Sequence, residues 1–251
     1  TMEVPAFVAP VSDSGESDKQ GAGFGVQMSD SPESDTQGRD SEGCSRRPGK
    51  ERQHLQAAGS QYGWMADSRP ETMIRDAKES ALHLGVDTLD LLYSHGPDPA
   101  VPYEDQCGAL KQLLDEGVIK YAGISRVNNE QIDLARGIIG SGLVAVQNQF
   151  SPSHPDPEHT MEHCAELGLA FVCWSPLGGF LDTFDQSAYD PFRTVAAQRG
   201  GSYQRVVLAW ELTRYERLFT IPSARNPQEI NDSFAATQLQ LTQEELAMLP
   251  C

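Results

Sequence analysis

Histidine, serine, glutamine, tryptophan and arginine recur in this chain directly after short apolar runs. His95 follows Thr88–Tyr93 and Ser94, Ser125 and Arg126 follow Val118–Ile124, and Gln147 follows Leu143–Val146. Trp174 and Ser175 follow Ala170–Cys173, and Ser223 and Arg225 lie just beyond Leu218–Ile221. Singly these are weak signals, since a histidine at a strand end more often caps or packs, and a serine there usually turns the chain. Together, at one level of a sheet, they form a mouth with hydrogen-bond donors, an aromatic face and positive charge. Their joint recurrence at one geometric level is what raises the odds of a site there.

The elements that would carry them alternate. Pro70–Leu82 has helical spacing at Met73, Ile74, Ala77, Ala81 and Leu82, behind a capping box of Ser68 and Glu71 with a proline in the first turn. Helices are also expected over Tyr103–Leu114, Asn129–Gly137, Pro157–Leu167, Phe192–Arg199 and Ser202–Thr213. Another starts near Pro227, and a last one is capped by Thr242 with Glu245. Strands alternating with amphipathic helices imply a parallel sheet with helices outside. No glycine fingerprint follows a strand, so a (β/α)8 barrel fits better than a doubly wound sheet. The strand ends then meet at the C-terminal rim, where barrels do their chemistry.

The stretches LGVDTLDLLYSHGPDP, EGVIKYAGIS, VAVQNQFSP, CWSPLGG and IPSARNPQEI, in this order from about residue 62 to the end, resemble the aldo-keto reductase family. The resemblance implies a (β/α)8 barrel that binds NADP(H) and reduces an aldehyde or ketone by hydride transfer. By position, His95 orients the carbonyl and donates to its oxygen, while Ser125 and Gln147 bond the nicotinamide carboxamide. Trp174 stacks on the nicotinamide, and Ser175, Leu177 and Gly178 wrap the pyrophosphate. Ser223, Arg225 and Gln228 hold the 2′-phosphate, and Asp232 meets adenine. The family's usual strand-end asparagine is replaced by Arg126, which reaches either the carboxamide or the substrate. The family also uses a tyrosine acid, a lysine that lowers its pKa, and an aspartate. Alignment puts Gln61 at the lysine position, and residues 1–60 hold no tyrosine. Two alternatives therefore stay open: a cofactor-binding but silent relative, and a cyclase or isomerase using His95 and Arg126.

Residues 1–53 are polar and rich in Ser, Gly, Asp and Glu, and cannot bury enough surface to order themselves. The expected organisation is a disordered segment over 1–53 and the barrel domain over 54–251. The first two βα units are not recognisable, so the barrel is expected to be incomplete, with exposed edges that favour self-association. Whether residues 1–60 are native sequence or a frame or splicing artefact is left open by the composition break near residue 60. A net charge of -17 argues against nucleic acid. No run approaches the roughly 20 apolar residues that span a bilayer. Five cysteines without a CxxC pair, and a start without a basic leader, imply a reduced cytoplasmic protein. No metal is expected. His159-Thr160-Met161-Glu162-His163 matches a metallopeptidase pattern but sits on an outer helix, and Gly21–Gly25 lacks the strand and helix of a phosphate loop. Cys173 points away from the mouth by strand alternation.

Overall fold

The structure is a computed structural model that describes residues 67–156, 158–178 and 185–250. The readings of Gly21–Gly25, Gln61 and the 1–53 segment lie outside the described residues. Five strands form the frame: β1 (Leu89–Ser94), β2 (Ile119–Ser125), β3 (Leu143–Gln149), β4 (Ala170–Trp174) and β5 (Leu218–Thr220). All pair in parallel, in the order β1-β2-β3-β4-β5. A doubly wound sheet reverses its order at a switch point. Here every crossover advances the sheet in one direction, as in the wall of a (β/α) barrel.

Helices α1 (Pro70–Leu84), α2 (Tyr103–Asp115), α3 (Asn129–Ile139), α4 (Thr160–Glu166), α5 (Asp190–Arg199) and α6 (Tyr203–Leu212) precede or join the strands. Residues Ala122, Ile124, Val146, Phe171, Cys173 and Leu218 of the sheet are buried in one core with Leu110, Leu113, Ile132 and Phe192 of the helices. The opposite face is less covered. Tyr121 and Phe219 are half or more exposed, as is Ile221 just past β5 to nearly the same degree. On that face Tyr93 lies over Gly123, where a β-carbon would fall 2.3 Å from its ring.

Local chemistry decides the element ends. Proline suits the first turn of α1 because its fixed φ is helical and its missing N–H is not needed there. Gly85 closes that helix in the left-handed conformation, its N–H and that of Val86 reaching the Leu82 and Ala81 carbonyls. The expected serine cap is corrected. Arg69 is the N-cap, without a side-chain cap bond, and the buried Ser68 donates its N–H to Asp98. Asp67 gathers the Arg69 guanidinium and the Thr72 hydroxyl in front of the helix instead. Leu82 is 76% exposed rather than inward, because Ala77 and Ala81 carry the packed stripe.

The C-terminal part adds α7 (Pro227–Ala235) and α8 (Gln243–Leu246). Asn226 caps α7 through the Glu229 N–H, and Thr242 and Glu245 form the expected capping box. Arg199 grips Glu245 with two charged hydrogen bonds, which hold that carboxyl down at about 2 and tie α8 to α5.

Candidate functional site

Parallel register sets the site. Ser94 of β1 pairs with Ile124 of β2, Ser125 of β2 pairs with Gln147 of β3, and Gln149 of β3 pairs with Trp174 of β4. His95, Ser125, Arg126, Gln147 and Trp174 therefore meet along the C-terminal edge of four neighbouring strands. Ser125 is buried, and its hydroxyl donates to the Gln147 carbonyl at 2.7 Å. Its oxygen thus has accepting capacity left but no proton to offer. Arg126 follows in a left-handed backbone, φ +56°, held by a bond from its N–H to the same carbonyl at 3.1 Å.

One side chain, Arg126, makes the rim positive, and it acts on His95. The Arg126 stem runs past Gly96, with Cδ at 3.4 Å from where a β-carbon would stand, and the guanidinium lies 5.2 Å from the centre of the Trp174 ring. Burial, and then the charge of Arg126, lower the pKa of His95 below its ordinary 6.5. A neutral imidazole near pH 7 keeps one N–H to donate. Tyr93, two residues earlier on the same strand, is pushed up to about 12 by burial.

The indole N–H of Trp174 is buried without a partner. Next to it a groove of about 430 Å³ opens between the start of α3 and the loop leading to α4. Arg126, Asn128, Gln149, His154, Asp156 and Trp174 are among its walls. The sequence reading missed this groove. It also missed Asn148, whose amide accepts from the Val127 N–H at 3.1 Å and donates to the Val127 carbonyl at 2.7 Å, clamping the β2 exit to β3. The polar run Gln147-Asn148-Gln149 at a strand end was the available signal.

The loop after β4 carries Ser175, at φ +50°, with Leu177 and with Gly178, whose N–H bonds the Ser175 carbonyl at 2.9 Å. Ser223 and Arg225 lie between β5 and α7, with Gln228 in the first turn of α7. Arg225 is 90% exposed at its side chain and paired with Glu229 at 2.9 Å. Asp232 is turned toward Ser202 and Arg205, with Arg205 Nε at 3.0 Å. Its carboxylate thus links α7 to α6.

The features set aside earlier behave as packing. His159 is the left-handed N-cap of α4 and lies outside the helix, while His163 pairs with Asp133 at 2.8 Å. The helix begins at Thr160, three residues later than expected. Among the described residues no cluster of metal-ligating side chains occurs, and no helix is long and apolar enough to cross a membrane. Cys173 is buried, its thiol donating to the Phe150 carbonyl at 2.8 Å; burial and then the nearby Glu211 raise its pKa.

The aldo/keto reductase family model matches residues 50–250. Pyridoxine 4-dehydrogenase of Escherichia coli is 28% identical over 198 residues, covering 76% of this chain and 67% of that protein. Aldose reductase from Giardia lamblia superimposes with a TM-score of 0.63 at 25% identity, covering 72% of this chain and 67% of that one. An aldo-keto reductase from Bombyx mori, solved in complex with NADP, gives 0.61 at 24% identity, covering 73% and 64%. This chain spans about two thirds or less of the length of the relatives it matches.

Proposed function

Because this chain belongs to the aldo/keto reductase family, we propose that it is an NADP(H)-dependent oxidoreductase interconverting an aldehyde or ketone and its alcohol. The observation that carries this reading is the convergence of His95, Ser125, Gln147 and Trp174 at one edge of adjacent parallel strands. The residues fit a nicotinamide nucleotide on two counts. Trp174 already bears a flat cation against its ring, the kind of partner an oxidised nicotinamide is. The Ser125 oxygen retains accepting capacity at the neighbouring strand end. When bound, the cofactor supplies the hydride.

The chain's own groups do the rest. Ser125 and Gln147 hold the carboxamide, and Trp174 covers one ring face and keeps water from it. Ser175, Leu177 and Gly178 wrap the pyrophosphate. Ser223, Arg225 and Gln228 take the adenosine phosphate, with Asp232 on the adenine side. Arg225 is charged at every working pH and must exchange Glu229 for phosphate. His95, neutral near pH 7, donates its N–H to the carbonyl oxygen and aligns it for attack.

A second reading, cofactor binding without turnover, has its own observation. The described lysines, Lys78, Lys111 and Lys120, are each bound to a carboxylate: Glu116, Asp115 and Asp90. None serves to lower the pKa of a phenol beside His95. Tyr93 shows the consequence, a phenol raised by burial with no cation opposing it.

The test is direct. Purified protein should quench and blue-shift NADPH fluorescence and reduce a generic aldehyde, and His95→Ala should remove the turnover. Binding without turnover selects the second reading. Absence of NADPH binding overturns both.

A further inference from the structure

We propose that Arg126 determines substrate specificity at this site, holding the carboxylate or phosphate of an anionic carbonyl substrate in the groove beside Trp174. The inference rests on the reductase reading and adds the substrate class to it.

The first ground is charge. In a chain with 36 acidic and 19 basic residues, an arginine is readily claimed by a carboxylate. Arg199, Arg205 and Arg225 are held this way, by Glu245, Asp232 and Glu229. Arg126 has no acidic partner among the described residues; Arg136 and Arg217 also lack one but bond carbonyls, and Arg214 lies on Trp210, whereas Arg126 lies against Trp174 at the groove wall. Of the acids lining the groove, Asp156 is committed to the Met161 N–H at 2.8 Å, capping α4, and Glu158 is exposed.

The second ground is conformation. Residue 126 is held left-handed by its bond to the Gln147 carbonyl. That conformation is strained for an ordinary side chain, and glycine, asparagine and aspartate occupy it more easily. Arginine there is a strained choice that a guanidinium at this point explains, and strained residues gather at ligand sites.

The third ground is placement. The stem passes Gly96, beside His95, and the head reaches Trp174 on the groove wall. Arg126 thus links the carbonyl-orienting histidine to the groove. A bidentate anionic oxygen group would answer the guanidinium. A nicotinamide stacked on the Trp174 face that Arg126 now covers would have to displace the guanidinium from it.

The experiment compares the full chain with Arg126→Asn, which removes charge but suits the left-handed backbone, and with Arg126→Lys. Rates with NADPH are measured for 4-carboxybenzaldehyde against its methyl ester, and for glyceraldehyde 3-phosphate against glyceraldehyde. Whichever pair shows the effect identifies the anion. Losing a charged hydrogen-bond pair corresponds to a fall of about 10- to 100-fold in the charged-over-neutral ratio of kcat/KM. Arg126→Lys should retain part of it.

Calorimetric binding of terephthalate, which cannot be reduced, provides a readout independent of turnover. It should bind the parent chain and be lost in Arg126→Asn, with circular dichroism spectra superposing. If no aldehyde is reduced, the reductase reading fails and terephthalate binding still decides the role of Arg126. A ratio changed less than twofold in both pairs, terephthalate that binds but ignores the substitution, or terephthalate that never binds while no aldehyde is reduced overturns the proposal. So does an Arg126→Asn chain that loses NADPH affinity while its ratio stays intact, since Arg126 would then serve the cofactor.

Discussion

Replacing Glu211 with glutamine should stabilise the protein by an amount that grows with pH. Glu211 sits in α6 at 0% exposure, and neither carboxyl oxygen has a hydrogen-bond partner. Its sequence neighbour Trp210 packs against Phe150 and Phe192, and the buried Cys173 thiol lies near the carboxyl. Removal from water disfavours the charged form, and burial raises this carboxyl well above its ordinary 4.5. The folded state therefore keeps the proton while the unfolded chain releases it. This contribution to stability is complete below about pH 4.5 and declines as pH rises toward the folded value. The loss is about 1.4 kcal/mol per pH unit for one proton. Glutamine keeps the shape and has no proton to lose. Near pH 4.5 the two chains should be closest in stability, and the variant's lead should widen as pH rises above that value. Urea unfolding followed by circular dichroism at four pH values measures this. The net charge of -17 weighs on both proteins alike, so the difference isolates residue 211. Parallel pH profiles, or a parent chain more stable than the variant at pH 6.5, would refute the argument.

Gly123→Ala should cost about 1–3 kcal/mol by forcing the Tyr93 ring aside, read as a lower urea midpoint, and Tyr93→Ala in the same chain should recover much of it. Arg225→Ala should weaken NADPH binding about tenfold while leaving NADH nearly untouched, and Glu229→Gln, which frees Arg225, should tighten NADPH; fluorescence titration distinguishes them. The thiols of Cys107, Cys164 and Cys173 are buried, with pKa values raised to about 11, to about 12 and higher still. Peptide mapping after treatment with a disulfide reagent should find all three unmodified at pH 8 and labelled in urea.

The order of elements from residue 70 onward is legible in the text of the chain because periodicity is a near-neighbour property. Apolar residues three and four apart make α2 and α3, and β2 and β4 are short apolar runs. The Thr242–Glu245 box caps α8 within one turn. Much of the mouth follows from counting, since Ser125 and Trp174 end parallel strands and His95 directly follows one, although β3 runs on two residues past Gln147 to Gln149. Three departures have tertiary causes. Ser68 looks like a cap until Asp98, thirty residues on, takes its N–H. Asp232, read by resemblance as an adenine contact, is bound by Arg205 of α6. Glu211, on which the sequence reading was silent, is buried together with the five residues before it. The groove beside Trp174 has no sequence signature, because α3, the β3–α4 loop and β4 each supply only part of its wall.

The chain by itself thus determined which residues face the mouth, through strand alternation and helical spacing that act over a few residues. Only the assembled sheet decided what those residues touch. Hydrogen bonds and burial join positions tens of residues apart, and their partners depend on register between strands rather than on spacing within them.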